Sequence, residues 1–225
     1  VPDKYAAMKN GNRRLASWLP TESRPTWEVA FLFPPQGSWT EQDFLNLDAV
    51  HEAYPLVELS RGRLEVLPMP TETHQLIMLF LVRLLEAFTA IHAPGIVLCA
   101  GMRIRLKNGR FRAPDVLYMK AENAQRRHEQ FWDGADLVME VVSPDPKDHR
   151  RDWKAKAREY ARARIPEYWI IDPQERKVRV LVLRGTSYQV HGDFGPGMQA
   201  TSVVLQGFGV AVDALLAPPG SQQVS

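Results

Sequence analysis

Asp136-Leu137-Val138-Met139-Glu140-Val141-Val142-Ser143-Pro144 is the stretch whose reading decides the fold. A short, near-continuous apolar run closed by a proline predicts a strand buried on both faces, at the centre of a sheet. Glu140 interrupts that run. A carboxylate in such a place is costly unless it is paired or bound to a cation. The residues alone leave both readings open: a core ion pair with an arginine, or membership of a site.

Upstream, Pro114 fixes the approach to a strand predicted over residues 115–119, so Asp115 is held rigidly at its start. A plain turn or strand-cap aspartate is the alternative. Two carboxylates on neighbouring strands would suit Mg²⁺, which accepts a couple of carboxylates and keeps several waters. Such an ion could polarise a phosphodiester and activate a water. Downstream, residues 149–163 predict a helix. Counted at 100° per residue from Asp152, Lys156 falls at about 40° and Tyr160 at about 80°, on the apolar inner side. Lys154, Arg158, Arg151 and Arg162 fall between about 200° and 280°, forming an outer basic stripe. Lys156 can therefore point at the strands, or it can snorkel along the core boundary.

Further out, residues 167–172, 177–183 and 187–191 read as strands that end the sheet, and residues 195–200 as a loop. Before the decisive run, residues 96–100 and 102–106 read as strands. Residues 56–59 and 64–67 flank a turn at Ser60-Arg61-Gly62-Arg63, a hairpin signal. The apolar residues of a helix over 73–92 nearly encircle it, which predicts deep packing. Thr40 and Asp43 stand at a looser form of the capping-box spacing and predict a short helix. Residues 1–38, punctuated by Pro20, Pro25, Pro34 and Pro35, read as an arm or linker, residues 39–216 as the domain, and residues 217–225 as a mobile tail. His74 can touch a metal or a phosphate, but a capping or packing role is the favoured reading; Tyr168 and Trp169 are read as core in preference to base stacking. The pattern is that of a mixed α/β sandwich.

The chain has 225 residues, 45% hydrophobic and 24% charged, which excludes collagen-like, disordered and disulfide-scaffold classes. Its longest apolar run, residues 76–82, is shorter than the roughly 18–20 residues of a spanning helix, so no membrane partner is expected. One cysteine, Cys99, forms no internal disulfide, and no secretory signal is readable, so a cytoplasmic location is expected. Residues 103–112 carry five basic side chains and no acidic one; residues 147–164 carry eight against three. On a chain of net charge +2 these segments point either to a polyanion or to solvated faces, and charge alone favours solvated faces.

Several ordered blocks together resemble the PD-(D/E)XK nuclease superfamily and, within it, the Uma-two family of endonucleases. The blocks are Pro114-Asp115, the run from Asp136 to Pro144, then Asp152, Lys156 and Tyr160 at four-residue steps. Pro166-Glu167-Tyr168-Trp169-Ile170-Ile171-Asp172-Pro173 follows them, and Val57-Glu58-Leu59, Gly62-Arg63-Leu64-Glu65 and His74 precede them. The resemblance spans roughly Trp39 to Leu183. It implies a restriction-endonuclease-like α/β fold and a Mg²⁺-dependent endonuclease, with Mn²⁺ as a substitute, cutting nucleic acid, DNA first. It implies Asp115 and Glu140 as metal carboxylates, Glu58 as an accessory acid, and Lys156 in the catalytic lysine role, since the usual strand position is Val142. The stripe of Arg151, Lys154, Arg158 and Arg162 would track phosphates, and a homodimer is compatible with the family. Two residues depart from its pattern: Arg164 where a glycine usually ends the helix, and Arg61 where an acid usually precedes the hairpin glycine. The alternative is a nucleic-acid-binding or regulatory protein that keeps the fold without efficient cleavage. A third, weaker one is a structural subunit whose carboxylates form ordinary ion pairs.

Overall fold

Helix α1 (Glu41–Asp48) is the first element of the computed structural model, which describes residues 33–48, 57–143 and 151–217. Most of the expected N-terminal arm, Pro144, the side chains of Arg151 and Asp152, and all but Ala217 of the expected tail lie outside the described residues. The start of α1 is the reciprocal cap that the sequence predicts. The Thr40 hydroxyl accepts from the Asp43 amide at 3.1 Å, and the Asp43 carboxylate accepts from the Thr40 amide at 3.0 Å. Just before it, Phe33 stacks on Trp39, and the Gly37 amide donates to the Gly62 carbonyl at 2.7 Å.

That carbonyl belongs to the turn between β1 (Val57–Ser60) and β2 (Arg63–Val66). Arg61 and Gly62 both have positive φ, 52° and 70°, the left-handed pair that a tight hairpin requires. A Cβ on residue 62 would meet the Gly37 oxygen at 2.5 Å, so only glycine fits there. Arg61 adopts the turn despite its side chain.

Helix α2 (Glu72–His92) starts one residue earlier than expected, with Thr71 as its cap. The expectation of deep packing is corrected. Ile77, Leu81, Leu85 and Thr89 are buried, whereas Leu79 is 41% and Ile91 77% exposed. The helix lays one face on the sheet, so its i, i+4 stripe is fully buried, Phe80, Leu84 and Phe88 are half-buried against the same cluster, and the opposite face is exposed. By length and composition it could cross a membrane; here its stripe packs against the central sheet.

Strands β3 (Gly95–Cys99), β4 (Arg103–Leu106), β5 (Arg110–Arg112), β6 (Val116–Lys120), β7 (Phe131–Trp132) and β8 (Leu137–Val141) follow. After β8 come a wide π-helical turn, Arg151–Lys156, and helix α3 (Ala157–Arg162). Then come β9 (Glu167–Asp172), β10 (Lys177–Arg184) and β11 (Ser187–Phe194). The strands sort into two sheets, β2-β1-β5-β4-β7 and β11-β10-β9-β8-β6-β3. A pair, β12 (Gln199–Thr201) and β13 (Gly209–Ala211), and helix α4 (Val212–Leu216) close the described chain. Thus β12 begins inside the stretch expected to be a loop.

All five residues of β8 are buried, as the apolar run requires. β8 runs parallel to β9 and antiparallel to β6, with Val116 opposite Met139. One more step in that register brings Asp115 beside Glu140. One apolar cluster fills the α2 side of the large sheet, with Trp169; another fills the α3 side, with Tyr160 and Tyr168. Both of the expected core aromatics, Tyr168 and Trp169, are fully buried.

The helix expected over 149–163 differs at its start, where i→i+5 winding replaces α winding. Its end is regular. The Ile165 amide donates to the Tyr160 carbonyl at 3.1 Å, and Arg164 takes the left-handed position at φ 66° that glycine usually fills.

Candidate active site

Glu140 projects from near the C-terminal end of β8 and is held from α3 and the turn before it. Lys156 Nζ lies 2.8 Å from its Oε2, and the Tyr160 hydroxyl donates to its Oε1 at 2.6 Å. Both Glu140 and Lys156 are 3% exposed. The core ion pair left open by the sequence exists, with Lys156 as the cation. The wide turn preserves the expected directions: Lys156 is buried, while Lys154, Arg158 and Arg162 are exposed. Arg151 belongs to that turn, and its side chain lies outside the described residues. Tyr160 is fully buried. Burial pushes its hydroxyl well above its ordinary pKa, and the Glu140 charge pushes it further, so it stays a proton donor.

Asp115 sits at the end of β6 and is fixed through one oxygen. Its Oδ2 accepts from the Val141 amide at 2.7 Å and lies 3.1 Å from His74 Nε2. Its Oδ1 has no hydrogen bond among the described residues. His74 thus caps nothing with its ring; it joins the site, which exceeds the packing role expected of it. Burial lowers the imidazole pKa, but the Asp115 hydrogen bond and charge, with Glu140 behind, raise it above its usual value. The sequence places His74 in the first turn of α2, while its approach to Asp115 across 41 residues is set by the fold.

Glu58 is placed differently from Asp115 and Glu140. It is fully buried beneath the site, bonded to Arg112 Nη1 at 2.6 Å and to the Ala113 amide at 3.0 Å. Burial raises its pKa, yet the Lys156 and Arg112 charges outweigh that and hold it below the usual carboxylate value. Glu58 therefore reaches the site through charge, by way of Lys156.

Arg112 was not legible as part of this arrangement. It contacts three carboxylates on three elements: Glu58 on β1, Glu65 on β2 at 2.7 Å and Glu159 on α3 at 2.9 Å. Its fork ties α3, and with it Tyr160, to the smaller sheet. The basic segment 103–112 is not one solvated face: only Lys107 of its five basic side chains is exposed. Arg103, Arg110 and Arg112 are buried, and Arg105 bonds Asp133 at 2.7 Å. These arginines are on strands whose alternation turns them inward.

Asp115, Glu140, Lys156 and His74 line one cleft of about 370 Å³, closed on other sides by Pro68–Thr71 and Gln174. Among the described residues no three His, Cys, Asp or Glu side chains form a ready metal cage. The donor set still fits a hard divalent cation. Two carboxylates face one cleft, and Asp115 Oδ1 has no competing bond, so a cation could complete its shell with water or a substrate oxygen.

The family described as "Uma2: Putative restriction endonuclease" matches residues 41–213. No curated protein matches the chain. Among solved structures, a "putative nuclease belonging to DUF820" from Anabaena variabilis superimposes with a TM-score of 0.62 at 18% identity. The alignment covers 79% of this chain and 97% of that one. At that identity the likeness shows the fold, a restriction-endonuclease-like mixed α/β arrangement.

Proposed function

The chain belongs to the Uma2 family of restriction-endonuclease-like proteins, and from that premise we propose that it is a Mg²⁺-dependent endonuclease acting on DNA. The observation that carries this reading is the convergence of Asp115, Glu140 and Lys156 on one cleft, with Lys156 bonded to Glu140. Asp115 and Glu140 would hold the cation. When bound, it supplies Lewis-acid polarisation of the phosphoryl oxygen and a more acidic water. Lys156 orients Glu140 and places a positive charge where the phosphoryl group gains negative charge. Tyr160 fixes the second Glu140 oxygen, and His74 fixes Asp115, so both carboxylates are preorganised.

Metal binding separates this reading from a structural one. Mg²⁺ or Mn²⁺ is expected to raise Tm in the wild type by mass action, and the change Asp115→Asn with Glu140→Gln is expected to abolish that rise. Equal protection of the double variant, followed by differential scanning fluorimetry, would remove these residues from consideration.

A second reading has its own support. Lys156 and Tyr160 already occupy both Glu140 oxygens, which suits a binding protein that has lost cleavage. On that reading, nucleic acid binds with no metal-dependent product.

Both readings use the outer stripe of Lys154, Arg158 and Arg162, with Arg151 beside them in sequence. It is expected to bind nucleic acid with little sequence preference, its affinity falling steeply with salt. Reversing Lys154 and Arg158 to glutamate should flatten the slope of log K against log salt by about two. An unchanged slope in fluorescence anisotropy would make the stripe a solvated face.

A further inference from the structure

We propose that a second, basic cavity, at the far end of α3 from the cleft, is a binding pocket for a phosphate group. Its volume is about 280 Å³, and Lys107, Asn108, Arg110, Glu159, Arg162 and Arg164 line it. Four cations surround one carboxylate, and that carboxylate is already engaged. Glu159 Oε2 accepts from Arg112 Nε at 2.9 Å, and its Oε1 accepts from Arg112 Nη2 at 3.3 Å.

Arg110 supplies the decisive observation. It is 7% exposed, and its nearest acidic contact is that same Glu159 oxygen, at 3.9 Å from Nε. Its Nε is buried and has no hydrogen-bond partner among the described residues. Glu159 offsets its charge only at that distance and shares its oxygens with Arg112, and a buried donor left without a hydrogen bond is costly. An anion in the adjoining cavity would offset that cost.

The frame around it is firm. Asn108 and Gly109, at φ 63° and 65°, make the tight left-handed turn joining β4 to β5, which fixes Lys107 and Arg110 on either side. Across the cavity, Arg164 is anchored by its bond to the Gly185 carbonyl at 2.8 Å. A tetrahedral oxyanion suits several converging arginines, because each guanidinium can donate twice to it. The volume exceeds that of one phosphate, leaving room for an attached sugar. This pocket reaches beyond the stripe, since Lys107 and Arg110 are not on α3. It does not rest on the nuclease reading, because phosphate binds whether or not the protein cuts.

The test is thermal denaturation of the full chain in metal-free buffer with inorganic phosphate, ionic strength being held constant with chloride. At ten times its Kd, phosphate is expected to raise Tm by about 3–6 °C. Arg110→Gln should lose the rise. Because that residue is buried, the exposed pair Lys107→Gln with Arg164→Gln, neither of them in the outer stripe, is the companion variant; it should fold normally and also lose the rise. Protection equal to that of chloride alone, or undiminished in the exposed-pair variant, would overturn the proposal. The source of the phosphate follows from oligonucleotides with 5′-phosphate or 5′-hydroxyl ends. Tighter binding of the phosphorylated end, lost in the pair variant, assigns a terminal phosphate. Equal binding of both, weakened in the variant, assigns an internal phosphodiester. Insensitivity of both to the variant, with the phosphate-dependent rise intact in the wild type, assigns a free phosphate compound.

Discussion

Lys156→Ala is expected to lower turnover by about 10²–10³-fold and to destabilise the protein by about 3–5 kcal/mol, two losses of different origin. The first follows from removing a charge at the reacting phosphoryl group. The second follows from the 2.8 Å pair with Glu140, since the variant leaves a carboxylate buried at 3% exposure without its cation. A lysine lying along the core boundary would cost little to remove, so the stability loss is itself diagnostic. Lys154→Ala, exposed and two residues away, should change stability by less than about 0.5 kcal/mol and weaken nucleic-acid binding modestly. The double change Lys156→Met with Glu140→Gln separates the two effects. Neutralising both partners should restore much of the stability while turnover stays absent. Urea denaturation and single-turnover kinetics read these quantities independently.

Arg112→Met is the second large effect, expected to cost about 3–5 kcal/mol although the residue lies outside the cleft. It strips the partner from fully buried Glu58 and from Glu159 at once. Arg112→Lys should recover little, because a single ammonium cannot serve carboxylates on three elements. The pH dependence gives a sharper signature. Glu58 has a folded pKa below its usual 4.5, so its stabilising contribution is present above that value and disappears as pH falls through the folded pKa. Burial opposes the depression; Lys156 and Arg112 cause it. Removing Arg112 raises the folded pKa, so acid unfolding should begin at a higher pH than in the wild type. An unchanged acid midpoint, measured by circular dichroism, would show that Arg112 does not hold Glu58.

The central strand and its acid were legible because one residue contradicts its surroundings. Glu140 in an apolar run demands a partner, and four-residue steps from Asp152 placed Lys156 and Tyr160 on the side that supplies one. The angular argument survived the π-type turn because Lys154 and Lys156 point so far apart that a modest change in winding cannot exchange them. Other features escaped for physical reasons. Asn108-Gly109 is a strong hairpin signal, yet the five basic residues around it read as a charged face and hid β5. Strand alternation turns Arg110 and Arg112 inward together, where long-range partners such as Glu58 and Glu159 neutralise one of them; no local pattern encodes that pairing. The apolar circumference of α2 suggested burial on all sides, but how much is covered depends on neighbouring elements. His74 showed its first-turn position in the sequence. Its contact with Asp115 depends on how α2 crosses the end of β6, a tertiary fact.

The central claim is that Asp115, Glu140 and Lys156 form a metal-dependent cleavage site, and one measurement tests it most directly. Wild type and Glu140→Gln are incubated side by side with saturating supercoiled DNA, without metal and with Mg²⁺ or Mn²⁺. The account predicts nicked or linear product from the wild type only, only with a divalent metal, while both proteins bind the DNA with equal affinity. Cleavage by Glu140→Gln at the wild-type rate, or a wild type that binds DNA yet yields no product with either metal, would contradict it.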